Sequence, residues 1–180
     1  MVSDIKKLVI LDRDGVINHD SDDYIKSPDE WIPIDGSLEA ISLLNKHGVL
    51  VAIASNQSGI ARGLFSENTL ESIHIKMINE LEKLGGKIDS ILFCPDHPEN
   101  AGHYRKPNPG MLLKHMDDFN VLADNTWFVG DSISDIQCAK KANCHSVLVL
   151  TGKGKLYQNK IDDSVSVYNS LSDFVQHFID

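Results

Sequence analysis

The sequence predicts an α/β fold, with helices on both faces of a central parallel sheet. Two patterns carry that expectation. Five short, β-branched, continuously apolar runs recur along the chain, and the stretches between them carry apolar residues at helical spacing. This alternation is the signature of βαβ units, and strands that are apolar without alternation suit a parallel sheet covered on both faces. Length agrees with both patterns. A chain of 180 residues can bury roughly 70% of its unfolded surface around one core without disulfides, so residues 1–180 are expected to form a single domain.

The first strand is expected at residues 8–11, an apolar run that ends in Asp12. Leu38, Ile41 and Leu44 then mark a helix stopped by Gly48, followed by a second strand at residues 49–54. Leu70, Ile73, Met77, Ile78, Leu81 and Leu84 mark a second helix closed by Gly85 and Gly86, ahead of a third strand at residues 88–93. Another helix is expected to start at Asn108 as N-cap with Pro109 in its first turn, where a proline sacrifices no hydrogen bond. Strands at residues 126–129 and 146–150 flank a helix that opens at Ser132 or Ser134. A last helix, capped by Ser170 or Ser172, carries Leu171, Phe174, Val175 and Phe178. Residues 19–35 and 94–107 follow neither period. Both come after a strand or its first loop, so in a parallel sheet they lie at the carboxyl edge, where ligands bind.

Composition narrows the function classes. A net charge of -9 repels nucleic-acid backbones and acidic membranes, so neither is an expected partner and an anionic substrate must meet a locally basic site. The cysteines, Cys94, Cys138 and Cys144, are few and odd in number, which fits a reducing compartment. No apolar stretch approaches the ~18 residues that span a bilayer, and the run at residues 8–11 is too short for a signal core. A cytoplasmic monomer is expected.

Asp12-Arg13-Asp14-Gly15 follows the first strand. Residues i and i+2 of an extended segment face the same way, so both carboxylates can meet one ligand. They repel unless a cation lies between them, and Mg²⁺, which takes one or two carboxylates, waters and a phosphate oxygen, suits the place. Asp12 can then attack phosphorus and form an aspartyl-phosphate, while Asp14 protonates the leaving alkoxide and later deprotonates the attacking water. A solvated acidic loop is an equal reading of the pair alone, and Gly15 tips it toward a ligand. Ser55-Asn56-Gln57-Ser58-Gly59 offers hydroxyl and amide donors to a phosphoryl group, although a polar turn is the plainer reading in isolation. Arg105 and Lys106, ahead of Pro107 and Pro109, are either a solvated pair or cations that neutralise the nucleophile and the transferring group. Asp131 and Asp135, after the fourth strand, add two more carboxylates. Asp131 can complete the magnesium shell or cap a helix, and Asp135 can orient Lys106 or a water on the metal.

These four elements, in this order and each at the end of an expected strand, resemble the four motifs of the haloacid dehalogenase (HAD) superfamily. The resemblance implies a Rossmann-like three-layer sandwich of HAD type, and the short segment between the first two motifs leaves no room for a separate cap domain. It also implies Asp12 as nucleophile, Asp14 as general acid and base, Ser55 as the phosphate-binding hydroxyl and Lys106 as the motif-three lysine. Magnesium would be held by Asp12, Asp131 and the main-chain carbonyl of Asp14, with Asp135 in support.

Ile34-Asp35-Gly36, Asn56 to Gly63, Cys94-Pro95-x-His97-Pro98 and Arg105-Lys106-Pro107-x-Pro109-Gly110-Met111 further resemble the D-glycero-D-manno-heptose-1,7-bisphosphate 7-phosphatases and the related histidinol-phosphate phosphatases, over residues 8–153. The implied reaction is magnesium-dependent hydrolysis of a sugar phosphate monoester, heptose bisphosphate to heptose 1-phosphate, in lipopolysaccharide precursor synthesis. Histidinol phosphate is the alternative substrate; a polynucleotide 3′-phosphatase or a non-catalytic phosphate-binding module stands further off. Implied substrate contacts are Arg13, Asp20, Asp23, Asn56, Gln57, Ser58, Arg105 and Ser132, with Arg105 meeting the second anionic group. The family often carries a zinc loop of Cys and His ligands. Here Cys94-Pro95-Asp96 and Gly102-His103-Tyr104 keep only one of them, so zinc is not expected and Cys94, Asp96, His97 and His103 read as structure rather than as a different metal site. Ser132 stands where a basic residue often follows the motif-four aspartate. Lys153 and Lys155 read as flexible exposed lysines rather than a basic rim.

Overall fold

A computed structural model describes residues 5–180. Six strands, β1 (Leu8–Leu11), β2 (Leu50–Asn56), β3 (Ser90–Cys94), β4 (Thr126–Gly130), β5 (His145–Val149) and β6 (Ser166–Tyr168), form one sheet. They pair in parallel in the order β3-β2-β1-β4-β5-β6. The helices are α1 (Ser37–Lys46), α2 (Glu67–Glu82), α3 (Gly110–Phe119), α4 (Ile133–Lys141), α5 (Gly154–Tyr157) and α6 (Leu171–Ile179). Strand side chains alternate between faces. Val9, Leu11, Val51 and Ile53 pack with α1, α2 and α6, whereas Leu8, Ile10, Ala52 and Ala54 pack with α3 and α4. With a core on each face, β1 buries all four of its side chains, and this is why it is apolar throughout.

The expected strands are present with shifted ends. β2 continues past residue 54 through Ser55 and Asn56, because β3 pairs with it as far as Asn56 beside Cys94. β6 has only three residues, none of them buried, so no apolar run announces it. The helix expected from Asn108 starts at Gly110 instead. Pro109 is its cap residue at φ -86°, and the Asn108 side chain donates to the Gly102 carbonyl, bracing the loop. Ser132 opens α4 with a capping box closed by Asp135, and Ser170 opens α6; such caps contribute about 1 kcal/mol each. The cap of α4 is therefore not Asp131, whose carboxylate is left for other partners.

Parallel pairing brings all the strand ends to one edge. Leu11 lies beside Ile53 on one side and Val129 on the other. The chain runs from β1 outward to β2 and β3, then returns to β4 on the opposite flank of β1, so the ends of β1 and β4 bound a topological switch point, the crevice where α/β sheets bind ligands. The segment at residues 19–35 is folded onto the edge rather than loose. Trp31 is fully buried there, and Lys76 of α2 donates to the carbonyls of Pro28 and Trp31 at 2.8 and 2.9 Å. Only this loop and α1 separate β1 from β2, and among the described residues no separate domain is inserted between the strands. No helix among the described residues is long and apolar enough to cross a membrane.

Candidate active site

Asp12 is the first residue beyond β1, and its N–H donates to the Val129 carbonyl at 2.9 Å, which fixes it over the gap between β1 and β4. The Lys106 ammonium sits 3.0 Å from Asp12 Oδ1 and 2.8 Å from Asp135 Oδ1, almost wholly buried against the Phe128 ring. A loop residue is held this well because Asn56, at the end of β2, grips its backbone from both sides. Asn56 Nδ2 donates to the Lys106 carbonyl at 3.0 Å, and the Lys106 N–H donates to Asn56 Oδ1 at 3.1 Å. Asp135 is oriented in turn by the Ser132 hydroxyl, which donates to its Oδ2 at 2.6 Å. Burial alone would lower the pKa of Lys106, but Asp12 and Asp135 outweigh it and hold the lysine charged.

Asp131, the first residue beyond β4, faces Asp12. Its Oδ2 accepts the Lys153 N–H at 2.8 Å, and it is wedged between Gly15 and Gly152, at either of which a Cβ would overlap the carboxylate. Both glycines have positive φ, +84° and +54°, which side-chain-bearing residues rarely adopt. Thr151 Oγ1 donates to the Gly15 carbonyl at 2.6 Å and locks this turn to the end of β1.

Asp12, Asp131 and Asp135 offer carboxylate oxygens that all lie within 4.8 Å of one another. Burial, followed by repulsion from Asp135 and Asp131, pushes the Asp12 carboxyl well above its ordinary value despite the opposing Lys106. Burial and Asp135 push Asp131 up to about 7. Two convergent oxygen donors that cannot comfortably both be anionic suit a hard cation held by one or two carboxylates. The residues present therefore fit magnesium.

Asp14 is held differently. The Arg13 guanidinium lies against it at 2.9 Å, Asn18 Nδ2 donates to Oδ1 at 2.9 Å and Gln57 Nε2 donates to Oδ2 at 3.0 Å. Burial would raise this carboxyl, yet Arg13, Asn18 and Gln57 together bring it below the usual carboxylate range. Gln57 Nε2 also donates to Ser55 Oγ at 2.8 Å, so the end of β2 and the end of β1 share one hydrogen-bonded network. Arg13 itself, expected among the substrate contacts, has no exposed surface. Its side chain is committed to Asp14, with Gln57 and His74 behind it, so it orients Asp14 from below rather than facing the substrate.

A cavity of about 270 Å³ opens over these groups, walled by Asp12, Asp14, Asn56, Gln57, Asp131 and Ser132 below and by Asp20, Asp22, Tyr24 and Lys153 around its mouth. Asp20 is thus brought to the cavity wall. Asp23 is not: a turn closed by the Tyr24 N–H on the Ser21 carbonyl reverses the chain, and Asp23 lines a separate depression with His19 and Lys26 while Asp22 takes the cavity side. Arg105 also lies off the cavity wall, donating to the Asp96 carbonyl at 2.7 Å, and Ser58 is buried and does not line the cavity. Asn18 and the Thr151–Gly152–Lys153 turn were not expected at the site. Only the last left a signal, two glycines spaced by one residue directly after a strand at the carboxyl edge.

A parallel sheet ending in Asp12 and Asp131 at its switch point, with a buried lysine between carboxylates and no cap, defines a HAD-type hydrolase. Consistently, the HAD-hydrolase-like family model matches residues 103–174. The chain is 50% identical over 149 residues to the D-glycero-beta-D-manno-heptose-1,7-bisphosphate 7-phosphatase of Pseudomonas aeruginosa, covering 83% of this chain and 84% of that one. It is 44% identical over 177 residues to the enzyme of the same name from Neisseria meningitidis serogroup A, covering 96% and 95%. It belongs to this family of heptose-bisphosphate phosphatases. The crystal structure of the D,D-heptose 1,7-bisphosphate phosphatase from Bordetella bronchiseptica, complexed with magnesium and phosphate, superposes with a TM-score of 0.93 at 43% identity over 96% of this chain and 98% of that one.

Proposed function

We propose that this chain is a magnesium-dependent phosphatase that removes the 7-phosphate of D-glycero-D-manno-heptose 1,7-bisphosphate by way of an aspartyl-phosphate on Asp12. The observation that carries this reading is the buried Lys106 ammonium between Asp12 and Asp135, beside Asp131. It lets a carboxylate approach an anionic phosphoryl group. Magnesium, held by Asp12, Asp131 and the Asp14 carbonyl, would neutralise phosphoryl oxygens as charge moves onto the leaving group. Asp12 attacks phosphorus, the bond to the sugar oxygen breaks, and Asp14 delivers a proton to that oxygen. Water then attacks the aspartyl-phosphate as Asp14 takes its proton, releasing phosphate and restoring Asp12. Ser55, Asn56, Gln57 and Ser132 cradle the phosphate, Asn56 doing so while it fixes the lysine, and Lys106 stabilises the transferring group. Asp20 remains in the reading as an outer contact, whereas Arg105, held on the Asp96 carbonyl, Ser58 and Asp23 lie off the cavity wall.

The decisive assay compares kcat/KM for heptose 1,7-bisphosphate with that for histidinol phosphate. A clear preference for the bisphosphate is expected, and the opposite order overturns the substrate assignment. Protons and cation compete for Asp131, whose carboxyl burial and Asp135 push up to about 7. Magnesium affinity should therefore weaken about tenfold between pH 8 and pH 6, measurable by calorimetric titration; a flat profile contradicts the assignment of Asp131 as a ligand.

The reading also takes residues 94–107 as a zinc-free loop. Its support is a set of hydrogen bonds that organise the loop without metal, the Gly102 N–H to Asp96 Oδ2 and Asn108 Nδ2 to the Gly102 carbonyl among them; stoichiometric zinc in metal analysis overturns it. Residues 1–180 act here as one phosphatase domain, supported by the single sheet. A cytoplasmic monomer agrees with three buried, unpaired cysteines.

A further inference from the structure

The cavity wall is heavily acidic: Asp12, Asp14, Asp20, Asp22 and Asp131 all border it, and among the described residues its one cationic side chain is Lys153. A bisphosphate substrate brings two such anions. Only one can sit against Asp12, Lys106 and the metal, so the other must lodge in the mouth, where Asp20 and Asp22 would repel it. Lys153 stands at that junction. Its N–H holds Asp131 at the reacting end, while its ammonium reaches across the mouth to Asp22 at 3.1 Å and Asp20 at 3.4 Å. These ion pairs are weakly held. The Lys153 side chain is 46% exposed and that of Asp22 is 91% exposed, and exposed pairs contribute about 0–1 kcal/mol. A phosphate group carries up to twice the charge of a carboxylate and three acceptor oxygens, so it outcompetes either partner. The loop bearing both aspartates also holds Tyr24 at φ +65°, a conformation that residues with side chains rarely adopt.

We infer that Lys153 is a specificity-determining residue: it exchanges Asp20 and Asp22 for the non-reacting phosphate of the substrate, and so favours sugar phosphates that carry a second anion. Arg105, on the far side of the Asp96 carbonyl, does not border the same space. The inference rests on the proposed bisphosphate substrate.

The test measures kcat/KM for heptose 1,7-bisphosphate and for heptose 7-phosphate in the wild type, Lys153→Met, Lys153→Arg and Asp22→Asn. The ratio between the two substrates should fall at least about tenfold in Lys153→Met, chiefly through KM, as expected for a lost hydrogen bond between charged groups. It should be largely kept in Lys153→Arg and should rise in Asp22→Asn, where a competitor for the ammonium is gone. Asp22 is almost fully exposed and belongs to no core, so its variant reads out even if Lys153→Met folds poorly. Opposite signs at the two positions are what a merely structural ion pair would not produce. If the wild type shows no preference for the bisphosphate, the substrate reading fails and the inference with it. If the wild type prefers it and Lys153→Met or Asp22→Asn shifts the ratio in neither expected direction, the inference alone is overturned.

Discussion

Asp12→Asn is expected to lose turnover on the order of 10⁵–10⁶-fold, the scale seen when a covalent nucleophile is removed. The asparagine fills the same space, and its neutral amide cannot displace an alkoxide from phosphorus. The loss should be purely chemical. In the wild type the ionised Asp12 is disfavoured by burial and by the Asp131 and Asp135 charges. An acid whose pKa is raised by folding subtracts stability as pH climbs above its unfolded value, because the native state then binds more protons than the unfolded one. Replacing it by a neutral group removes that penalty, while Lys106 keeps Asp135 as its partner at 2.8 Å. Without metal at pH 8, the variant should melt no lower than the wild type. Phosphate release together with a thermal melt checks both halves, and retained turnover in a folded variant would sink the role given to Asp12.

Asp14→Asn is expected to cost on the order of 10²–10⁴-fold in turnover, the usual worth of a positioned general acid and base. The surroundings of Asp14 add a finer expectation. A carboxylate held below its ordinary pKa by Arg13, Asn18 and Gln57 is present as the anion at neutral pH and is ready to take a proton from water. To act as a proton donor it must first take up a proton from solvent, so only its minor protonated form serves the first step. The second half of the reaction therefore depends on it more than the first, since the leaving alkoxide can draw on other stabilisation and the attacking water cannot. Phosphoenzyme should accumulate in the asparagine variant, visible by mass spectrometry of acid-quenched protein as one added phosphoryl group. A variant that turns over slowly with no trapped phosphoenzyme would assign Asp14 to leaving-group protonation alone, and one that turns over at wild-type rate would remove it from the mechanism.

Much of the fold was legible because the strands of a parallel sheet are apolar on both faces, and such runs stand out between amphipathic helices. β6 was not, because a three-residue strand at the sheet edge has no second face to bury. The residues of the candidate site were legible where an apolar run stops abruptly at a polar one: Asp12 after β1, Ser55 within the polar end of β2, Asp131 after β4. Side-chain direction was harder to foresee. Arg13 lies between two aspartates in sequence and looked like a third contact to the ligand, yet it turns inward, because the network of Asp14, Gln57 and His74 satisfies its guanidinium where water would otherwise have to. Lys153 looked like any exposed lysine. Its position over the cavity depends on a loop more than a hundred residues earlier, and no spacing along the chain encodes that contact.

The hydrogen bond from Thr151 to the Gly15 carbonyl joins residues 136 positions apart. Contacts of that reach are slow to close unless the intervening chain has already folded, because folding shortens the loop whose closure entropy must be met. Catalytic competence should accordingly be among the last properties the chain acquires as it folds. A nascent chain that has completed β1 to β4 already holds the nucleophile, the lysine and the second acid in sequence, but the turn that wedges Asp131 into place is still missing. Until β5 and that turn dock, the molecule has the parts of a phosphatase without its pocket.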